Sequence, residues 1–203
     1  PLTLTAIPIP APRLWAWLLC VLCLLPAPAL AGQVHTFGGG KVQGCQLDGK
    51  AYTCGNLPSS AWDDSMAIVD GYSVHVKSTV SPGWDYGLSM SGSARMTSDG
   101  AINLSGINPA RISISGGSFN AAGEFKLTTP VRVTASVTAG SMTLGGEAGF
   151  QITGNMVSKG AVSIATGAVV NGSVSGTQVT TGSSVKISGS LSATGAVSIG
   201  SSS

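Results

Sequence analysis

The chain has 203 residues, 29 of them glycine, with 9% charged side chains and a formal net charge of +2. Its 10 basic and 8 acidic residues are not clustered, which excludes a nucleic-acid surface or a polybasic membrane anchor. A composition rich in Gly, Ser, Thr, Ala and Val is shared with disordered chains, but regular apolar alternation here argues for ordered strands.

Leu14 to Leu25 form an uninterrupted apolar run, preceded by Arg13 and followed by Pro26-Ala27-Pro28-Ala29-Leu30-Ala31. Spanning a bilayer takes about 20 residues, so the run is too short to cross. Its flanks read instead as a secretory signal peptide over residues 1–31, with an Ala29-x-Ala31 cleavage site and Gly32 as the new N-terminus. A buried core helix is the competing reading, and the prolines and small residues that end the run argue against it. Neither Cys20 nor Cys23 sits in a lipoprotein-type context. The expected location is therefore periplasm, cell surface or extracellular space, and the net charge after cleavage is near +1.

Cleavage leaves Cys45 and Cys54, an even pair that reads as a disulfide in an oxidising compartment. Asp48-Gly49 between them is a turn signal. A four-residue loop from Asp48 to Ala51 places Leu47 opposite Tyr52 and Cys45 opposite Cys54, a spacing that suits a bridge. A two-residue Asp-Gly loop would pair Cys45 with Tyr52 and make the bridge diagonal. Residues 32–65, with Tyr52 and Trp62 and with Tyr72 just beyond, are expected to cap the strands downstream.

From Met66 onward the sequence breaks into apolar–polar–apolar pieces: Val74-His75-Val76, Leu88-Ser89-Met90, Ile102-Asn103-Leu104 and Ile112-Ser113-Ile114. Phe125-Lys126-Leu127 then aligns with Met142-Thr143-Leu144, and Val133 to Val137 with Ile152 to Met156. The pattern sharpens toward the end. Ile152-Thr-Gly154-Asn-Met156 recurs as Val170-Asn-Gly172-Ser-Val174 and again as Ile187-Ser-Gly189-Ser-Leu191, and Gly160-Ala-Val-Ser-Ile164 returns two such steps later as Gly195-Ala-Val-Ser-Ile199. A period of roughly 17–18 residues with alternation inside it predicts an all-β, parallel β-solenoid of about seven coils over 66–203. Corner glycines are expected to supply positive φ. One coil buries too little to stand alone, so neighbouring coils must stabilise each other.

The stretch Gly160-Ala-Val162, Ile164-Ala-Thr-Gly167-Ala168-Val169 and Asn171-Gly172-Ser173-Val174 resembles the polymer-forming, bactofilin-like family. That resemblance implies a right-handed β-helix able to assemble end to end without nucleotide. The signal peptide and the disulfide hairpin depart from the family pattern. The front half is similar to the N-terminal region of secreted proteins associated with mannose-sensitive haemagglutinin pilus biogenesis. The residues that carry this are Cys45, Tyr52-Thr53-Cys54, Trp62-Asp63-Asp64, Gly71 to Val76, Leu88 to Ala94, Leu104 to Pro109 and Ile114 to Gly117. It implies a longer parent protein, truncated at Ser203.

Parallel β-helices also include polysaccharide lyases and hydrolases, which need clustered carboxylates or bases. Between Thr134 and Ser203 the only charged side chains are Glu147, Lys159 and Lys186. Upstream, Asp63, Asp64, Asp70, Asp85, Asp99 and His75 remain as candidates. Adjacent Asp63 and Asp64 point to opposite faces on a strand, and His75 between two core valines should face outward. No nucleophile elbow, phosphate loop or metal spacing occurs, so neither enzyme activity nor a cofactor is expected. Trp84, Asp85 and Tyr86, after the turn Ser81-Pro82-Gly83, are a candidate ligand loop for glycan or protein, with core packing the plainer alternative. Ile187, Leu191, Val197 and Ile199 are expected to line an uncapped end.

The combined expectation is a non-catalytic, exported structural or assembly protein of the bacterial cell envelope. Its partners would be itself, further domains of a longer chain, or cell-surface or pilus components. A surface adhesin working through loops is the first alternative, and a polysaccharide-active enzyme the second.

Overall fold

The computed structural model describes residues 32–58, 63–146 and 149–201. Residues 1–31, which hold the expected signal peptide, and Trp62 of the expected cap lie outside the described residues. The described residues fall within one compact unit that begins at Gly32. Among them no helix is long and apolar enough to cross a membrane.

Alternation of small polar and apolar residues produces short strands stacked in about eight parallel turns: about seven from Ser65 onward, as the repeats suggest, and one ahead of them. Each turn contributes one strand to a first face and one or two to a second. On the first face lie β1 (Val34–Phe37), β4 (Ser65–Ile68), β6 (Gly87–Met90), β9 (Ile112–Ile114), β11 (Arg132–Thr134), β13 (Gln151–Thr153), β16 (Val169–Asn171) and β19 (Lys186–Ile187). They form two four-stranded sheets, β1-β4-β6-β9 and β11-β13-β16-β19.

The second face is a 13-stranded sheet. It contains β2 (Cys45–Asp48), β3 (Ala51–Cys54), β5 (Ser73–Val76), β7 (Arg95–Ser98), β8 (Ile102–Asn103), β10 (Ser118–Leu127) and β12 (Ser136–Leu144). It continues with β14 (Met156–Ser158), β15 (Ala161–Ile164), β17 (Val174–Gly176), β18 (Gln178–Thr181), β20 (Leu191–Ala193) and β21 (Val197–Ile199). All pairings among these strands are parallel except β2 with β3. Parallel stacking begins ahead of Met66, because β1 pairs with β4 and β3 with β5.

Inward positions stack into columns that form the core. One column runs Tyr52, Val74, Met96, Phe119, Val137, Met156, Val174, Leu191. A second runs Ile102, Phe125, Met142, Val162, Val179, Val197. A third runs Leu127, Leu144, Ile164, Thr181, Ile199. On the opposite face Val133, Ile152, Val170 and Ile187 stack. The alignments of Phe125 with Met142 and of Val133 with Ile152 are thus the actual register.

Sequence length per coil is greatest at the start and least near the end, and the buried side chains become smaller along the chain. On the first face Val34 pairs with Ser65 at the start, whereas Val169 pairs with Lys186 near the end, so the step nearly halves. The early coils carry the large side chains: Phe37 meets Tyr52 edge-on with ring centroids 4.8 Å apart, and Phe119 meets Phe125 at 5.2 Å. Aromatic rings supply much of the buried volume in these coils. Late coils are filled by valine and isoleucine.

Corners are closed in two ways. Buried Ser98 donates to Ser78 O at 2.7 Å and accepts from Gly100 N at 3.1 Å. Ser158 repeats this with Gly140 O at 3.2 Å and Gly160 N at 3.1 Å, so each hydroxyl satisfies backbone groups that the bend removes from the ladder. At the corner of the repeated five-residue word, glycine serves close approach more than dihedral freedom. Gly154 has φ +143, but Gly172 has no positive φ, and a Cβ there would lie 2.0 Å from Gly154 O in the previous coil.

Candidate functional site

At the N-terminal end, β2 folds back on β3 and places Cys45 opposite Cys54 and Leu47 opposite Tyr52, with a Cys45–Cys54 disulfide formed. Asp48 pairs with Ala51, so the loop is Gly49-Lys50 and Asp48 belongs to the strand. The favoured register holds, with a shorter loop than expected. Tyr52 anchors the hairpin: its hydroxyl accepts from Gly39 N at 2.9 Å and donates to Gly40 O at 2.7 Å. Tyr72 packs on Tyr52 with centroids 6.2 Å apart, and Lys50 Nζ lies 5.7 Å from the Tyr72 ring centre.

The opposite end is built differently. Among the described residues β19, β20 and β21 each pair on one side only. In the all-valine part of the second column, Val162 and Val179 are 1% and 0% exposed, whereas Val197 is 47% exposed. Ile199, above Thr181, is 70% exposed. Ile187 and Leu191 are half-buried, and with Thr181, Val185, Gly189 and Ile199 they line an open apolar depression. Thr181 interrupts its column of Leu and Ile with a hydroxyl, and its Oγ1 is buried without a hydrogen-bond partner. The four residues expected to line the end are therefore together in the last coil.

Trp84, Asp85 and Tyr86 do not form one surface. Trp84 is 59% exposed, Asp85 half-buried, and Tyr86 points inward at 2% exposure. The Tyr86 hydroxyl donates to Pro58 O at 2.8 Å. Burial, with the nearby Asp64 charge second, pushes the Tyr86 phenol well above its ordinary value, so it stays a donor. The Trp84 backbone accepts from Asn108 N at 2.8 Å, which holds the indole on an ordered loop.

The two adjacent aspartates take different environments although neither lies in a strand: Asp63 is in a turn and Asp64 immediately precedes β4. Asp64 is fully buried; it accepts from Gln33 N at 2.8 Å and lies 3.3 Å from His35 Nε2. Asp63 accepts from Gly32 N at 2.9 Å, while its carbonyl accepts from Arg111 at 2.8 Å. Both carboxylates hold the first residues of the compact unit. Outward-facing His75 meets Asp99 at 2.8 Å, on a surface where both are partly exposed. Asp70 accepts from Ser93 N and Ser93 Oγ at 2.7 and 2.8 Å. These bonds, the backbone one first, lower the Asp70 carboxyl below its ordinary value. No group of three or more His, Cys, Asp or Glu residues that could hold a metal occurs among the described residues.

Burial of Asp64 and the serine corners were not foreseeable from the strand pattern. A repeated Ser-x-Gly-Ala at Ser98 and Ser158 was the available signal for the corners. No family model matches the chain, and comparison with curated proteins and with solved structures gave no match either. The β-solenoid that the polymer-forming resemblance implies is the fold observed.

Proposed function

We propose that this chain is an exported, non-catalytic structural protein of the bacterial cell envelope that assembles by adding β-coils to its last turn. The observation that carries this reading is the contrast within one column. Val162 and Val179 are sealed, while Val197, the same side chain one coil later, stands open beside unpaired strand edges. Exposed apolar side chains on a strand edge form a template for another strand, because backbone pairing and apolar burial act together. A further parallel coil, from a second copy or from a longer chain, fits both. End-to-end assembly of this kind is what the polymer-forming resemblance implies, and the pilus-associated resemblance is in keeping with an envelope location.

A structural role is supported by the distribution of charge. Among the described residues after Thr134 the charged side chains are Lys159 and Lys186, and upstream the carboxylates of Asp63, Asp64 and Asp70 hold loops and the first residues of the compact unit. Export is supported by the coincidence between the expected cleavage site and the start of the compact unit at Gly32.

Negative-stain microscopy and light scattering on the exported full chain test the assembly. Wild type is expected to form end-to-end particles that grow with concentration and persist in salt, and Val197→Asp, which puts an unpaired carboxylate into the contact, should abolish them. A strictly monomeric wild type at high concentration would overturn the assembly reading. The exposure of Trp84 favours a second reading, an adhesin loop; saturable glycan or protein binding lost in Trp84→Ala would put it ahead.

A further inference from the structure

Gly32 occupies a site that fits a processed chain end. Its N–H points at Asp63 Oδ2, 2.9 Å away. The next amide, Gln33 N, donates to Asp64 Oδ1 at 2.8 Å, and Ser65 N then donates to Gln33 O at 2.8 Å, which leads directly into the β1–β4 ladder. Arg111 holds the Asp63 carbonyl at 2.8 Å, so the Asp63 backbone is fixed from the other side. The first two residues of the compact unit are therefore each seated by one carboxylate, Gly32 by Asp63 and Gln33 by Asp64, and Arg111 braces the Asp63 backbone before the first strand begins.

Sterics narrow the site further. A Cβ on residue 32 would lie 2.0 Å from Asp63 O and 2.4 Å from its carbonyl carbon, both backbone atoms that cannot swing away. Glycine is the residue that this seat accepts. Three independent features thus coincide at one bond: the Ala29-x-Ala31 pattern, the start of the compact unit, and a glycine whose nitrogen faces a carboxylate.

We propose that cleavage of the Ala31–Gly32 bond creates an α-ammonium group at Gly32 that Asp63 captures as an ion pair, locking β1 onto the first coil once the leader is gone. This rests on the export reading above. In the cleavage, water adds across the amide: its oxygen completes the Ala31 carboxylate, and its two hydrogens convert the Gly32 N–H to NH₃⁺. The neutral amide contact at Asp63 then becomes a charge-assisted one, which is shorter and stronger. The new group also gains donors that the uncleaved amide lacks.

The charged and titratable groups around this terminus are Asp63, Asp64, His35 against Asp64, and Arg111 against the Asp63 carbonyl. Asp63 is the one in direct contact with the nitrogen, so its carboxylate favours the ammonium and raises the α-amino pKa above the usual range of about 7.7–8.0. A raised folded-state value means that the stabilisation is full below the ordinary α-amino pKa and is lost as pH rises through the raised one.

The test uses the full chain, exported and recovered from a bacterial host. Intact mass should place the N-terminus at Gly32. The α-amino group, followed by pH-dependent reductive methylation, should titrate at least about half a unit above 8.0, a roughly threefold shift in proton affinity. Asp63→Asn, which keeps an acceptor but removes the charge, should return the titration to the ordinary range. Gly32→Ala should speed amide exchange at Gln33 to Phe37 by about tenfold or more, as the seat is vacated. A retained leader would overturn both the capture and the export reading. A cleaved chain that starts elsewhere would overturn the capture alone. So would an α-amino group that titrates identically in wild type and Asp63→Asn.

Discussion

Val162, Val179 and Val197 offer the same truncation at three successive coils of one column, with exposures of 1%, 0% and 47%. Replacing a buried valine by alanine removes two methyl groups, about 1.6 kcal/mol at roughly 0.8 kcal/mol each. The cavity left behind brings the expected cost for Val162→Ala and Val179→Ala to about 2–3 kcal/mol. Val197 has already lost nearly half of its cover, so Val197→Ala should cost below about 1 kcal/mol in dilute solution. Because neighbouring coils need not unfold together, urea titration should be read alongside residue-resolved hydrogen exchange. At concentrations where the ends associate, the Val197→Ala cost should climb toward the interior value, since only the assembled form buries the side chain. Equal costs at Val179 and Val197 in a dilute monomer would refute an open last coil. Small costs at all three would refute the column itself.

Thr181→Val exchanges an unpartnered buried hydroxyl for a methyl of similar shape, and should raise the stability of the last coils by about 1 kcal/mol in denaturant titration. Gly172→Ala drives a methyl into the Gly154 carbonyl and should destabilise by about 1–3 kcal/mol, with exchange accelerating first in β16 and β17. The lowered Asp70 carboxyl adds local stability that is present above the ordinary value of 3.8 and is lost as pH falls through the lowered one. Amide exchange at Ser93 should therefore show an acid-dependent step that Asp70→Asn removes.

The register was legible wherever coils have nearly constant length. From Val133 onward the first-face partners Ile152, Val170 and Ile187 follow at nearly equal steps, so inward columns recur at visible intervals in the sequence. Upstream, loops such as 79–86 and 104–111 are inserted between strands. The steps from Met66 to Leu88 and from Leu88 to Ile112 are longer for that reason, which hides the period without disturbing the stack. Tyr86 shows the limit of local reading. Its neighbours Pro82 and Gly83 signal a loop, yet its ring is buried because Pro58, far upstream, offers a carbonyl. Asp64 is hidden for the same reason, since its partners Gln33 and His35 also lie a full coil away in sequence. The glycines of the five-residue word were visible, but their cause was not: contact between backbones of successive coils is a property of the stack and not of the local sequence.

The openness of the last coil is tested most directly by amide exchange across residues 186–199 in the exported full chain, measured at low and high protein concentration. An end that accepts another coil predicts fast exchange for unpaired amides of β19–β21 in dilute solution, and protection that grows with concentration in wild type but not in Val197→Asp. Exchange in these strands that is slow when dilute, or that stays the same at every concentration, would contradict it.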